Sequence, residues 1–150
     1  MNRPTQEDGR VHGVIVGCQR EDGRWLLIRR SENVAAPLKV CFPGGAVETG
    51  EDRDSAALRE MREEVGLTVK LIGQVWRHDF SDKALTLFGY LANLNGEPSS
   101  SPGSQNTPQP CAHEVAEIMW LTADQAGSHP DAMPMTDRFV QALEMAASTG

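Results

Sequence analysis

The chain is poor in the features that would commit it to several large protein classes. Cysteine occurs three times in 150 residues, at Cys18, Cys41 and Cys111, with no C-x-x-C pair. That spacing offers neither a zinc ribbon nor a thioredoxin-type redox motif. Three reduced thiols in a cytoplasmic protein are expected, and no neighbouring residue would activate a catalytic thiolate. No apolar run approaches the roughly 18 residues of a membrane-spanning helix. Residues 1–10 are polar and lack the apolar stretch of a secretory signal, so a flexible N-terminus is expected. Positive charge is also short: 14 Lys and Arg face 21 Asp and Glu, for a net charge of −7. This counts against a nucleic-acid polymer or an anionic membrane as partner. It leaves room for a phosphorylated small molecule, because a bound metal reverses the local sign. There is no internal repeat.

What is present suits one globular domain over residues 1–150. Apolar residues make up 39% and charged residues 23%, enough to build a core. Residues 11–18 are β-branched and bounded by glycine, and residues 25–28 follow a Glu21-Asp22-Gly23 turn, so the two strands are expected to form a hairpin. Residues 31–39 are a loop. Pro43-Gly44-Gly45 is expected to break any regular element and begin a tight turn. Residues 53–65 lack Gly and Pro and stop at Gly66, which predicts the central helix. Residues 68–80 and 84–93 are two long antiparallel strands around Ser81-Asp82-Lys83. Residues 95–110, rich in Gly, Pro, Ser, Asn and Gln, are an expected flexible loop. Residues 117–121 form a short strand, and residues 136–147 an amphipathic helix with Phe139, Val140, Leu143 and Ala147 on its apolar side. Mixed strands with two helices predict an α+β fold or α-β-α layers.

The chemistry concentrates in residues 44–67. At about 100° per residue, Ala57, Leu58, Met61 and Val65 share one helix face. Glu60, Glu63 and Glu64 form a contiguous band beside it. Like charges at such spacings destabilise a helix, so the band is either well solvated or holds a cation. Carboxylate oxygens with water suit a hard divalent ion such as Mg²⁺. Gly44 and Gly45 let backbone approach a ligand closely. Glu51 is placed either to anchor the helix N-terminus or to accept a bond from Arg59.

These residues resemble the Nudix family. Gly45, Glu51, Arg59, Glu60, Met61, Glu63, Glu64, Gly66 and Leu67 match every defined position of its box, G-x5-E-x7-R-E-U-x-E-E-x-G-U with U bulky aliphatic. The resemblance extends to Phe42-Pro43 before the box, to the strand at residues 25–30, and to Glu114 and Glu117 before Trp120. It implies a Nudix-type α-β-α sandwich with a mixed central β-sheet. It also implies a pyrophosphohydrolase that cleaves a nucleoside diphosphate linked to another group, using Mg²⁺ or Mn²⁺. By the same resemblance Glu60, Glu63, Glu64 and the Gly44 carbonyl are metal ligands, with Glu114 a further candidate, and Arg59 holds Glu51. The general base is Glu63 or Glu60 within the box, or Glu114 outside it. Arg29 and Arg30 are candidates to meet a substrate phosphate, and Trp76, Phe80 or Tyr90 to stack a base. Within the family the MutT-like branch, which converts nucleoside triphosphates to monophosphate and pyrophosphate, is the nearest likeness. Nucleotide-sugar or ADP-ribose hydrolysis is the competing enzyme reading, and a non-catalytic nucleotide-sensing module lies outside the enzyme class. The chain departs from that branch at Ala46, where Lys or Arg often follows the glycines. It departs again at Asp131-Ala132-Met133, where an Asn can read a purine edge. A monomer or homodimer is expected.

Overall fold

The structure is a computed structural model that describes residues 5–94 and 109–148. The loop expected at residues 95–110 therefore falls almost wholly outside the described residues, as do residues 1–4. The elements are β1 (Val11–Gln19), β2 (Trp25–Arg30), β3 (Val40–Cys41), β4 (Gly44–Ala46), α1 (Arg53–Glu60), β5 (Val69–Asp79), β6 (Leu85–Leu94), β7 (Val115–Leu121), α2 (Ala123–Ser128) and α3 (Thr136–Ser148). A π-helical turn, Met61–Val65, continues α1 without a break.

The sheet is mixed, as expected. β1 runs parallel to β6, and β5 pairs antiparallel with the other edge of β6. β2 joins β1, β3 and β7, all antiparallel. The expected β1–β2 hairpin exists only at its turn, where Gln19 faces Trp25. Further along, that edge of β1 is taken by β4, with Gly13 opposite Ala46 and Ile15 opposite Gly44. Gly44 and Gly45 thus belong to a strand edge rather than the start of a turn, with Pro43 bending the chain just before it. β3, β4 and the short α2 are the elements that local sequence pattern does not disclose.

Strand alternation divides the core into two layers. Val14, Val16, Leu26 and Ile28 face α1 with Ala56, Ala57, Met61 and Val65. Trp25, Leu27 and Leu91 face the other way, against Ala126, Phe139, Val140 and Leu143 of the two later helices. Helices on both faces of a mixed sheet make the α-β-α sandwich. Among the described residues no helix is long and apolar enough to cross a membrane.

Candidate active site

The site is assembled from the exit of β4, the helix that follows, and the segment before β7. Val16 donates to the Pro43 carbonyl at 2.9 Å and Val47 to the His12 carbonyl at 2.8 Å. This pairing turns the Gly44 backbone away from β1. There its N–H donates to Oε1 of Glu64 at 3.0 Å. A Cβ on Gly45 would overlap the Glu60 carboxylate, so glycine is what allows that side chain to lie against the strand.

Asp52 caps α1 by accepting from the Ser55 amide at 2.7 Å. Glu51 therefore has the other of its two expected roles, binding Arg59. The Arg59 Nε and Nη2 reach the two Glu51 oxygens at 2.8 and 3.0 Å. Nη2 also donates to the Ala46 carbonyl at 3.1 Å, which ties the helix to β4. Nη1 donates to Glu60 at 2.9 Å and to Glu63 at 3.1 Å. One guanidinium thus gathers three of the box carboxylates, a task that its rigid fork of donors suits. The fork holds the Glu51 carboxyl below its usual range.

The π-helical turn puts Glu64 inward, only 6% exposed, while Glu63 points to solvent. Turns of this kind widen a helix locally and recur at functional sites. Its end is closed by the segment that leads to β7. Gln109 donates to the Val65 carbonyl and Cys111 to the Glu64 carbonyl, at 2.6 and 2.9 Å. Glu114 follows, and its carbonyl accepts the Ser31 amide at 2.9 Å. The same segment therefore fixes the helix end and carries the distal carboxylate.

Burial pushes the Glu64 carboxyl up to about 7, with Glu60 and Glu114 adding to the rise and the Gly44 amide opposing it. Glu60 is raised as well, first by burial, with Arg59 opposing and Glu63 and Glu114 adding repulsion. Among the described residues no three His, Cys, Asp or Glu side chains converge into a finished metal cage. The donor chemistry nevertheless fits a hard divalent cation, because buried, mutually repelling carboxylates beside a backbone edge gain most from one. Burial pushes the Cys41 thiol up to about 11 and Cys18 to about 12, in keeping with cysteines that do no nucleophilic work.

A cleft of about 290 Å³ opens beside this cluster, with Gly44, Gly45 and Ala46 along one side and Arg30, Phe80 and Lys83 among its other lining residues. The structure separates the two candidate arginines. Arg30 lines the cleft, whereas Arg29 is engaged elsewhere by the Leu38 carbonyl, Asp131 and Glu117, at 2.9, 2.9 and 3.5 Å. Neighbouring strand residues face opposite sides, so one of the pair had to turn away. Of the stacking candidates only Phe80 lines the cleft. Tyr90 is buried, and Trp76 packs on Phe139 and His78. Lys83, with its Nζ 4.6 Å from the Phe80 ring centroid, is a lining residue that the sequence reading did not single out. Its place in the turn after Phe80 was the available signal. The Met133-Pro134-Met135 stretch lines the far side, and the Asp131 carboxylate is committed to Arg29.

Comparison with known proteins agrees with this geometry. The NUDIX domain family model matches residues 9–143. The 8-oxo-dGTP diphosphatase of Escherichia coli (strain K12) is 33% identical over 94 residues, covering 60% of this chain and 73% of that protein. The ADP-ribose pyrophosphatase of Methanocaldococcus jannaschii is 46% identical over 60 residues, 39% of this chain but only 34% of that protein. The crystal structure of a MutT NUDIX hydrolase from Burkholderia pseudomallei superposes with a TM-score of 0.72 at 21% identity, covering 89% of this chain and 98% of that one, a likeness of fold. With every box position present, its arginine and carboxylates gathered at the Gly44–Ala46 strand edge, and a family match along nearly the whole chain, the protein belongs to the Nudix family, in the MutT-like branch, and is a hydrolase of pyrophosphate bonds.

Proposed function

We propose that the protein hydrolyses a nucleoside triphosphate to the monophosphate and pyrophosphate with the help of Mg²⁺ or Mn²⁺. The observation that carries this reading is the half-buried Glu60 and the buried Glu64 carboxylates held against Gly44 and Gly45, the strand edge that also borders a cleft. The triphosphate is favoured over ADP-ribose by coverage, since the Escherichia coli relative is matched over 73% of its length and the ADP-ribose pyrophosphatase over 34%.

In this reading Glu60, Glu63, Glu64 and the Gly44 carbonyl hold the cation, with Glu114 near enough to share its charge. The ion, when bound, neutralises the phosphates and lowers the pKa of water. We assign Glu60 as the general base within the box. It lies against the Gly45 backbone and is oriented by Arg59 Nη1. As the water oxygen bonds to phosphorus, an anhydride P–O bond breaks and the water proton passes to the carboxylate. Arg59 keeps the loop and helix in register through Glu51 and the Ala46 carbonyl. Arg30 and Lys83 offset phosphate charge, and Phe80 offers a ring face to the base.

The test is a screen of nucleoside triphosphates, nucleotide sugars, ADP-ribose and dinucleoside polyphosphates with Mg²⁺, reading pyrophosphate, phosphate and nucleotide products. Monophosphate and pyrophosphate in equal amounts from a triphosphate are expected. Turnover confined to ADP-ribose or a nucleotide sugar would replace the triphosphate reading. Glu60→Gln should lower kcat far more than Glu114→Gln, and the reverse order would move the base to Glu114.

A further inference from the structure

Arg10 lies outside the box, in a segment whose composition alone suggests a flexible tail, yet its guanidinium bonds to the protein through Nε and Nη2. Nε donates to Oγ1 of the buried Thr86 at 2.9 Å. Nη2 faces three backbone carbonyls, those of Phe80, Leu85 and Lys83, at 2.7, 2.6 and 3.3 Å. All four acceptors belong to the end of the β5–β6 hairpin. Three carbonyl oxygens directed at one point repel one another unless a cation lies between them. A guanidinium supplies both the charge and several fixed donors, which an ammonium cannot match.

Arg10 is itself held from behind. Its amide donates to Asp8 at 2.9 Å, and its carbonyl accepts the Gln6 amide at 2.8 Å. Asp8 also binds His12 at 2.9 Å. The Gln6 side chain reaches the Val47 carbonyl, one residue past β4, at 3.4 Å. Residues 6–12 therefore connect the glycine edge of the cleft to the hairpin end opposite. Phe80, Lys83 and Leu85, whose carbonyls Arg10 binds, all line the cleft, as does Val11 beside it.

We propose that Arg10 is a substrate-positioning residue. It fixes the cleft wall that carries Phe80 and Lys83, and so sets nucleotide affinity without touching substrate or reacting atoms. This rests on reading the cleft as the nucleotide site. A residue acting in this way should alter KM while leaving the chemical step nearly intact, since the box carboxylates and Arg59 do not depend on it.

The experiment compares the wild-type chain with Arg10→Gln, Arg10→Lys and a control, Trp25→Phe. The control removes the Trp25–Glu144 hydrogen bond of 2.7 Å, and neither residue lines the cleft. Each is measured for KM and kcat on the best nucleotide of the screen, for Tm, and for amide hydrogen exchange over residues 80–85. Arg10→Gln is expected to raise KM roughly tenfold with kcat within about twofold, and to speed exchange over 80–85. Arg10→Lys should recover part of the affinity. The control should lower Tm and leave KM unchanged. In a Phe80→Leu background, Arg10→Gln should add little to KM, because both act through one wall. An unchanged KM in Arg10→Gln, an equal KM rise in the control, or full additivity with Phe80→Leu overturns the proposal. If the wild type turns over a different pyrophosphate-linked nucleotide and no triphosphate, the substrate reading fails while Arg10 is judged on that compound. If Arg10→Gln does not fold, the KM of Arg10→Lys decides: an unchanged value overturns the role.

Discussion

Arg59 binds three carboxylates and Arg29 two, and burial gives the two residues different weight. Arg29 meets Glu117 and Asp131 where both acids are about half exposed, at 56% and 46%, and such pairs are worth little. Arg59 and Glu51 are 18% and 16% exposed and meet through two parallel bonds. Losing Arg59 leaves Glu51 half-buried without its partner and frees the helix from the Ala46 carbonyl. Arg59→Ala should therefore lower kcat by about a hundredfold through misplacement. It should weaken Mg²⁺ binding, followed by titration calorimetry, less than Glu64→Gln does. Equal losses of affinity would make Arg59 part of the metal site itself. Glu64 makes a second prediction at this scale. Its carboxyl sits near pH 7 in the fold, against an ordinary value of 4.5. The folded chain then holds the proton more tightly than the unfolded chain, so this group's contribution falls as pH rises from about 4.5 through 7. Urea melts in chelator should show wild-type stability declining across that window relative to Glu64→Gln, by on the order of 2 kcal/mol. A constant difference between the two proteins from pH 5 to 8 would contradict it. The carboxylate band was legible in the sequence because helical spacing fixes it. The choice of Arg30 over Arg29 was not, because it depends on which way β2 faces and on distant partners of Arg29 at residues 38, 117 and 131.

At the scale of elements, the box works because three backbone devices meet: the β4 edge, the π-helical turn and its glycine stop. Gly66 has φ of +71°, a left-handed conformation that closes the helix. Its amide reaches the Arg62 carbonyl and that of Leu67 the Met61 carbonyl, both at 3.1 Å. A Cβ at Gly66 would also come within 2.8 Å of Gln109. Gly66→Ala should cost roughly 1–2 kcal/mol for the left-handed backbone alone. It should also disturb the 109–114 segment and with it Glu114, so that activity falls more than stability does. Chemical melts and turnover measured together check this, and a fully active variant with an unchanged melt would contradict it. The helix, the long strands and the final amphipathic helix were readable because each carries its own period. The strand at Gly44–Ala46 was not, since Pro-Gly-Gly has the local signature of a breaker. It pairs only because β1 leaves an edge free beside it, which is a tertiary fact. The π-helical turn was equally hidden, because residues 53–65 keep one continuous helical pattern.

At the scale of the whole molecule, the site exists only when distant parts of the chain are folded together. Gly44 comes from a strand beside β1, Glu60 to Glu64 from the helix, Glu114 from the segment before β7, and Phe80 and Lys83 from the far hairpin. An unfolded chain presents no such group of oxygens, so a divalent ion that binds here binds the native state and stabilises it by mass action, by about 2.7 kcal/mol at a hundred times Kd. In a chain of this length each kcal/mol is worth about 2–4 °C in Tm. Wild-type protein should therefore melt several degrees higher in saturating Mg²⁺ than in chelator. Glu63→Gln and Glu64→Gln keep side-chain size and nearly the same helix propensity while each removes one negative charge. In chelator they should melt at the wild-type temperature or slightly above, since a like-charge contact has been relieved. Glu64→Gln should gain the more of the two, being the buried member whose ionised form is the less favourable. In Mg²⁺ both should show a reduced upward shift, and turnover should fall by orders of magnitude because the ion activates water and offsets phosphate charge. A solvated, non-binding helix face would leave all three proteins with the same small response to Mg²⁺. Equal shifts in wild type and both variants would remove the cation from this helix, and with it the reading of the carboxylate band as the catalytic centre.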